Sequence, residues 1–207
     1  MELLTILKNV NNIDGPILDI GFGKGKFSEL MLNYILAKTT SPRNFIAFDT
    51  FNKYGGNVHP RWAMDFKNNA INKANLETNI EFGLVDEHLE SVLEDSKPAI
   101  TFISLPELDL IKSALKKAFN KIDDGALIVV DTKWGPNVKG QDQFDMFAIE
   151  KDSVLSLVKK FCTDNSSNYI VASEQNYAYI IKGDKFKSEL ATPVSIKIKR
   201  ERSVNLT

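Results

Sequence analysis

The sequence predicts an α/β protein with a mostly parallel, seven-stranded sheet that ends in an antiparallel hairpin. Short apolar segments alternate with longer amphipathic ones, which is typical of successive strand-helix units. The last two apolar segments are separated only by residues 173–176, which is too short for a crossover helix, so this pair must be antiparallel. A content of 43% hydrophobic and 26% charged residues fits a folded globular domain.

Three strand-helix units are predicted in the first half of the chain. Their strands are short runs rich in Ile, Leu, Phe and Ala, as expected for strands covered by helices on both faces, and comprise residues 16–20, 45–48 and 80–82. Their helices have apolar residues at helical spacing and comprise residues 24–37, 60–73 and 87–93. The second helix begins at Pro60, where a missing amide hydrogen costs little.

Two further units and the hairpin are predicted in the second half. The strands comprise residues 99–103, 126–130, 169–172 and 177–181, and the helices comprise residues 107–120 and 152–161. Pro106 stands at the entry of the first helix, and the Asp-Asp-Gly turn at 123–125 leads into the next strand. We therefore divide the chain into a domain, residues 1–183, and a tail, residues 184–207, with six basic and three acidic residues.

The charge balance and the single cysteine exclude several classes of protein. Lys and Arg total 26 against 27 Asp and Glu, so there is no overall basic field to hold nucleic acid or an anionic membrane. The longest aliphatic run, residues 126–130, is far below the ~20 residues that span a bilayer. The lone Cys162 excludes an internal disulfide and is expected to be buried. With no signal-peptide pattern at the start, we expect a cytoplasmic protein.

A glycine-rich loop after the first strand carries the strongest functional signal. Residues 17–26 read Ile-Leu-Asp-Ile-Gly-Phe-Gly-Lys-Gly-Lys. Glycines let a ligand approach the backbone closely, and free amides at a helix start can face it. The dinucleotide-binding fingerprint is Gly-x-Gly-x-x-Gly, and its last glycine would fall at position 26, which is Lys26 here. The spacing is instead Gly-x-Gly-x-Gly, with Asp19 two residues before Gly21. A glycine-rich turn of some other nucleotide-binding fold is the alternative.

This pattern resembles motif I of the class I S-adenosylmethionine (SAM)-dependent methyltransferases. The resemblance implies a Rossmann-like three-layer α/β/α sandwich with SAM as cofactor. It also implies that the loop residues Gly21, Phe22, Gly23 and Gly25 pass under the methionine and ribose portions of SAM, and that Asp19 helps to hold the methionine amino group. An ammonium beside a carboxylate is also favourable from charge alone.

Further cofactor-binding residues are expected at the carboxyl ends of the next strands, where ligands bind in open α/β sheets. Asp49 is placed to accept both ribose hydroxyls, although NAD-binding proteins use a similar acid and an exposed loop aspartate is the alternative. Asp86 is a candidate for the adenine amino group, or else an N-cap of the helix 87–93. Thr50, Phe51 and Ser104 complete the predicted cofactor site.

A narrower resemblance is to the macrocin O-methyltransferase family, which methylates sugar hydroxyls. The Phe-Asp-Thr-Phe segment at 48–51 matches that family's signature, and the glycine, strand and acid at 125–131 are similar to its later pattern. The acidic pairs that hold a divalent cation in the family are missing, since residues 104–107 read Ser-Leu-Pro-Glu and Asp131 is followed by threonine. We therefore expect no metal site. The 104–107 segment is equally unlike the Asn/Asp-Pro-Pro-Tyr/Phe motif of amino-methylating enzymes, which disfavours nucleic acid as acceptor.

The acceptor side needs a group that removes a hydroxyl proton during methyl transfer. Asp131, at the end of the fifth strand, and His59, in the loop after the second strand, are the candidates, although His59 can equally be a surface residue. Aromatic residues that suit a sugar ring or planar acceptor gather at this edge: Phe51, Tyr54, Trp62 and Trp134. The loop at 133–144 is expected to cover the substrate.

The sequence thus predicts a SAM-dependent methyltransferase for a small-molecule, sugar-like hydroxyl. A SAM-binding protein without transferase activity is the first alternative, favoured by the missing acidic pairs. An NAD-dependent oxidoreductase is the second, and Lys26 in place of the third glycine counts against it. The expected partner is a small molecule rather than a membrane, and homo-oligomer formation is left open.

Overall fold

The strands and helices follow one another in alternating order until the last two strands. The computed structural model describes residues 13–23, 25–38, 43–49, 61–74, 78–82, 85–132, 151–172 and 177–183. The strands in this part of the chain are β1 (Ile17–Ile20), β2 (Phe45–Asp49), β3 (Thr78–Phe82), β4 (Ile100–Ile103), β5 (Leu127–Asp131), β6 (Asn168–Ala172) and β7 (Tyr177–Ile181). The helices are α1 (Lys26–Lys38), α2 (Arg61–Ala74), α3 (Val85–Asp95), α4 (Leu108–Lys121) and α5 (Lys151–Asp164).

All of these strands belong to one sheet in the order β3-β2-β1-β4-β5-β7-β6. Pairing is parallel from β3 to β5. It is antiparallel between β5 and β7 and between β7 and β6. The predicted Rossmann-like α/β architecture and the antiparallel pairing of the last two strands are therefore confirmed. The strand order reverses between β1 and β4, and such a reversal opens a crevice at the carboxyl ends of the two strands.

Two apolar layers cover the sheet because successive side chains of each strand alternate between its faces. One layer joins strand residues such as Ile17 and Val129 to Phe27 of α1 and Phe66 of α2. The other layer contains side chains from α3, α4 and α5, among them Leu89, Leu115, Val158 and Cys162. Cys162 is 1% exposed, which confirms its predicted burial, and burial raises the pKa of its thiol to about 11.

Boundary differences of two or three residues include the starts of β3 and α3 and the end of α5, which is Asp164 rather than residue 161. The third strand begins at Thr78 rather than at residue 80, because its polar first residues pair through the backbone with β2. An edge strand can accept such residues without burying their side chains. The helix α3 begins at Val85, two residues before the predicted start, so Asp86 lies inside its first turn. Among the described residues, no helix has the length and apolar character needed to cross a membrane.

Candidate functional site

The ends of β1 and β4 approach each other so closely that only glycine fits between them. Gly21 has a φ of +87°, and a Cβ there would lie 1.9 Å from the Ser104 carbonyl oxygen. The Ser104 amide also donates to the Ile20 carbonyl at 2.8 Å, so this contact belongs to the strand pairing itself. The first glycine of the motif therefore allows the two strands that border the crevice to meet.

The second glycine faces open space instead. Gly23 has a φ of +52°, and among the described residues the nearest atom to a Cβ there would be the Gly21 carbonyl oxygen, at 3.9 Å. Its amide donates to Asp49 Oδ2 at 2.5 Å, which ties the glycine turn (Gly21, Phe22, Gly23 and Gly25) to the end of β2. The structure thus brings Asp49 and the glycine turn together, as predicted, and leaves room for a ligand beside Gly23.

Phe22 supports this turn from the protein interior. Its side chain is 4% exposed and contacts the Phe66 ring edge-on, with ring centroids 5.6 Å apart. A Cβ on Gly25 would lie 2.5 Å from Phe22 Cζ, so the ring fills the space beneath the third glycine. The Phe22 ring is therefore a core group, and a role of this residue in cofactor binding stays a prediction for its backbone.

Asp19 is the most unusual charged residue of the site. Its side chain is 1% exposed on β1, and Ser28 Oγ of α1 donates to its Oδ2 at 2.6 Å. Its other oxygen, Oδ1, is buried and has no hydrogen-bond partner in the part of the chain that the structure describes. Burial raises the pKa of Asp19 to about 7, with a smaller contribution from the Asp49 carboxylate, and the Ser28 hydrogen bond opposes the shift. A cationic donor placed at Oδ1 would satisfy this oxygen and favour the ionised form.

On the other side of the crevice, the structure joins two predicted residues directly. Ser104 follows β4 and Asp131 ends β5, and Ser104 Oγ donates to Asp131 Oδ2 at 3.1 Å. Both residues are half-buried, so they are sheltered from bulk water yet reachable from the crevice. The hydrogen bond orients the Asp131 carboxylate at the edge of the sheet, where a base could act on a bound hydroxyl.

Tyr177 also belongs to this edge, and it was not among the predicted site residues. It is the first residue of β7 and lies opposite Asp131 in the β5–β7 pairing. Because β7 is antiparallel, its first residue lies at the same edge as the last residues of the parallel strands. Burial and then the Asp131 and Asp19 carboxylates raise the pKa of Tyr177. Tyr177 could not be predicted as a site residue because the sequence does not show which strand of the hairpin lies beside β5.

Several predicted residues lie outside the part of the chain that the structure describes. These are Thr50, Phe51, His59, Tyr54 and Trp134, together with the proposed covering loop at 133–144 and the tail at 184–207. Asp86 lies in the described backbone of α3, one residue after its start, so it does not precede the helix as an N-cap would. Its predicted role at the adenine stays a prediction.

Comparison with known proteins gives matches only at the level of structure. No protein-family model and no curated protein matches the sequence. The O-methyltransferase NovP matches with a TM-score of 0.62 and 14% identity, over 87% of this chain and 78% of that one. CalS11, a TDP-rhamnose 3′-O-methyltransferase, has a TM-score of 0.60 and 16% identity, over 87% and 76%. The SAH-bound methyltransferase PaMTH1 from Podospora anserina has a TM-score of 0.56 and 12% identity, over 86% of this chain and 76% of that one.

The TM-scores show that these proteins share the strand-helix architecture described above, and at such low identities the likeness is one of fold. The space at Gly23 and the Oδ1 atom of Asp19, both unfilled or unpartnered among the described residues, lie at the reversal of strand order, where such folds bind ligands. This chain has the α/β fold of the class I SAM-dependent methyltransferases.

Proposed function

We propose that this protein is a SAM-dependent methyltransferase that acts on a hydroxyl of a small, sugar-like molecule. The observation that carries the proposal is Asp19 Oδ1, which is buried and has no hydrogen-bond partner among the residues that the structure describes, beside the glycine turn. SAM has an ammonium group, which can donate a hydrogen bond to this oxygen. Its adenosine can lie close to the backbone of a glycine turn, where no side chain intervenes. The residues of the crevice therefore fit the cofactor that the fold implies.

Each remaining cofactor role follows from position. Asp49, at the end of β2, would accept hydrogen bonds from the ribose hydroxyls, and it also accepts one from the Gly23 amide. Thr50, Phe51 and Asp86 would surround the adenosine, and Ser104 would border the methionine portion from β4. Bound SAM supplies an electrophilic methyl group on its sulfonium, so the protein needs only to align the acceptor oxygen and receive its proton.

Asp131 is the proposed proton acceptor for the reacting hydroxyl, and His59 is the second candidate. The Ser104 hydroxyl holds the Asp131 carboxylate at 3.1 Å, which limits its rotation at the edge of the sheet. A fixed carboxylate near the methyl group aligns the acceptor by hydrogen bonding before transfer. The similarity to the O-methyltransferases NovP and CalS11 supports an oxygen acceptor, and the TDP-rhamnose acceptor of CalS11 supports a sugar.

The cofactor assignment is tested by calorimetric titration of the purified protein with SAM, S-adenosylhomocysteine (SAH) and NAD. We expect both sulfur nucleosides to bind and NAD not to bind. Binding should be lost in Asp49→Ala, since this variant removes the ribose acceptor and the contact to Gly23. Binding of NAD alone would favour the oxidoreductase alternative, and no binding of any of the three would remove the basis of the proposal.

Replacement of Asp131 by asparagine should abolish most methyl transfer while cofactor binding persists. We expect a loss of at least about 100-fold in the rate of labelled methyl transfer from SAM to TDP-linked sugars, the usual contribution of a general base. The affinity for SAH should change by less than about 3-fold, because the amide keeps the shape and a hydrogen-bond acceptor.

Asp123→Asn is the matched control, since Asp123 precedes β5 and forms an exposed ion pair with Lys97 at 3.0 Å, away from the crevice. Equal rates in Asp131→Asn and in the control would refute the role of Asp131 as base. Tight SAM binding with no transfer to any acceptor tested would instead favour the alternative of a SAM-binding protein without transferase activity.

A further inference from the structure

Tyr177 occupies the edge of the sheet next to the proposed methionine site. It pairs with Asp131 in the β5–β7 register, so the two side chains are neighbours on one face of the sheet. That face is the α1 and α2 side, because Tyr177 packs against the apolar layer that contains Phe27 and Phe66. Asp19 also directs its side chain to this side, where Ser28 of α1 binds it.

Aromatic contacts fix the direction of the Tyr177 ring. The Phe102 ring of β4 meets it edge-on, with centroids 5.7 Å apart, and the Tyr179 ring lies 6.4 Å away on its own strand. Phe102 is itself stacked on Phe27 at 4.0 Å and stands next to Asp19 in the β1–β4 register. The ring of Tyr177 therefore extends from β7 across β5 towards β4 and the Asp19 side of the crevice.

The charges around the phenol are consistent with this position. Both the Asp131 and the Asp19 carboxylates raise the pKa of Tyr177, as does its burial. A phenol keeps its proton near neutral pH and can donate it to a carboxylate while its oxygen accepts another hydrogen bond. Asp19 Oδ1 is a buried acceptor without a hydrogen-bond partner among the described residues. An ammonium group, with three N–H donors, matches such a set of acceptors.

We propose that Tyr177 is a further cofactor-binding residue, whose hydroxyl oxygen accepts a hydrogen bond from the methionine ammonium group held on its other side by Asp19 Oδ1. This inference rests on the proposed function, since it assumes that SAM occupies the crevice. It assigns a binding role to the hairpin strand β7, beyond the glycine turn and the ends of β1 and β2.

The test compares three ligands that carry different parts of the methionine group. SAH contains both the ammonium and the carboxylate, decarboxylated SAH keeps only the ammonium, and 5′-methylthioadenosine lacks both. Calorimetry on Tyr177→Phe should show a loss of about 10-fold in affinity for the first two, as expected for one hydrogen bond to a charged group. The affinity for 5′-methylthioadenosine should stay within 2-fold of the wild-type value.

Tyr179→Phe is the matched control, because it removes one hydroxyl from the same strand and face but from a fully buried position. It should alter none of the three affinities. Unchanged SAH binding in Tyr177→Phe, or an equal loss for 5′-methylthioadenosine, would overturn the inference and leave the proposed function intact. If the wild-type protein binds none of these nucleosides, the proposed function and the inference both fail.

Discussion

Replacing Gly21 by alanine should prevent the formation of a stable native structure. The residue has a φ of +87°, which an L side chain rarely adopts, and the new Cβ would lie 1.9 Å from the Ser104 carbonyl oxygen. Ser104 cannot move away, because its amide hydrogen bond to Ile20 at 2.8 Å is part of the β1–β4 contact. We expect a loss of more than about 4 kcal/mol in the free energy of unfolding, measured by urea denaturation, or failure to accumulate in soluble form.

Gly23→Ala separates this structural effect from ligand binding. Its φ of +52° costs an alanine only about 1–2 kcal/mol, and no atom of the described residues lies nearer than 3.9 Å to the new Cβ, so the variant should fold. The added methyl group would occupy the open space beside the turn, and we expect SAH affinity to fall at least about 10-fold. Wild-type stability of Gly21→Ala would contradict the close approach of β1 and β4, and normal SAH binding by Gly23→Ala would contradict the position of the cofactor.

The fold could be predicted because its signals are local in sequence. The runs at β1, β4 and β5 are continuously apolar, since helices cover both faces, and the short link before Tyr177 excludes a crossover helix. The start of β3 was less accurate because an edge strand is held by backbone pairing, and Thr78 gives no apolar signal. The insertion of β7 between β5 and β6 depends on tertiary packing, which has no local pattern.

The site residues that could be predicted belong to a local motif or end a parallel strand. Asp19 and the glycines form a recognisable motif, and Asp49 and Asp131 end strands whose carboxyl ends had to meet at one edge. Ser28 was missed because it looks like an ordinary helix residue until the structure shows its bond to Asp19 at 2.6 Å. Tyr177 was missed because its place depends on strand order. Residues contributed by antiparallel strands, and helix residues outside any motif, are therefore the ones that sequence analysis of this fold overlooks.

Asp19 should make the free protein less stable as the pH rises. Its pKa is raised from the ordinary 3.8 to about 7 in the folded state, so between these values the native protein holds a proton that the unfolded chain has released. The stability that Asp19 contributes in its protonated form is therefore fully present below about pH 4 and is lost as the pH rises through about 7. Asp19→Asn should not show this loss of stability with pH, and its free energy of unfolding at pH 8 should exceed that of the wild type by about 2–4 kcal/mol. Urea denaturation of both proteins from pH 5 to pH 8 measures the difference.

The same carboxylate should link cofactor binding to proton release. A bound ammonium favours the ionised form of Asp19, so the pKa of this group falls below 7 in the complex. SAH should therefore bind more tightly as the pH rises from 5 to 7, with release of about one proton per ligand at pH 6 and almost none at pH 8. Calorimetry in buffers of different ionisation enthalpy measures this number directly. Asp19→Asn should bind SAH more weakly by at least about 10-fold and release no proton, because its amide does not ionise. A residue that destabilises the free protein and strengthens ligand binding is the expected result of selection for the complex. Proton release that persisted in Asp19→Asn would place the linked group elsewhere.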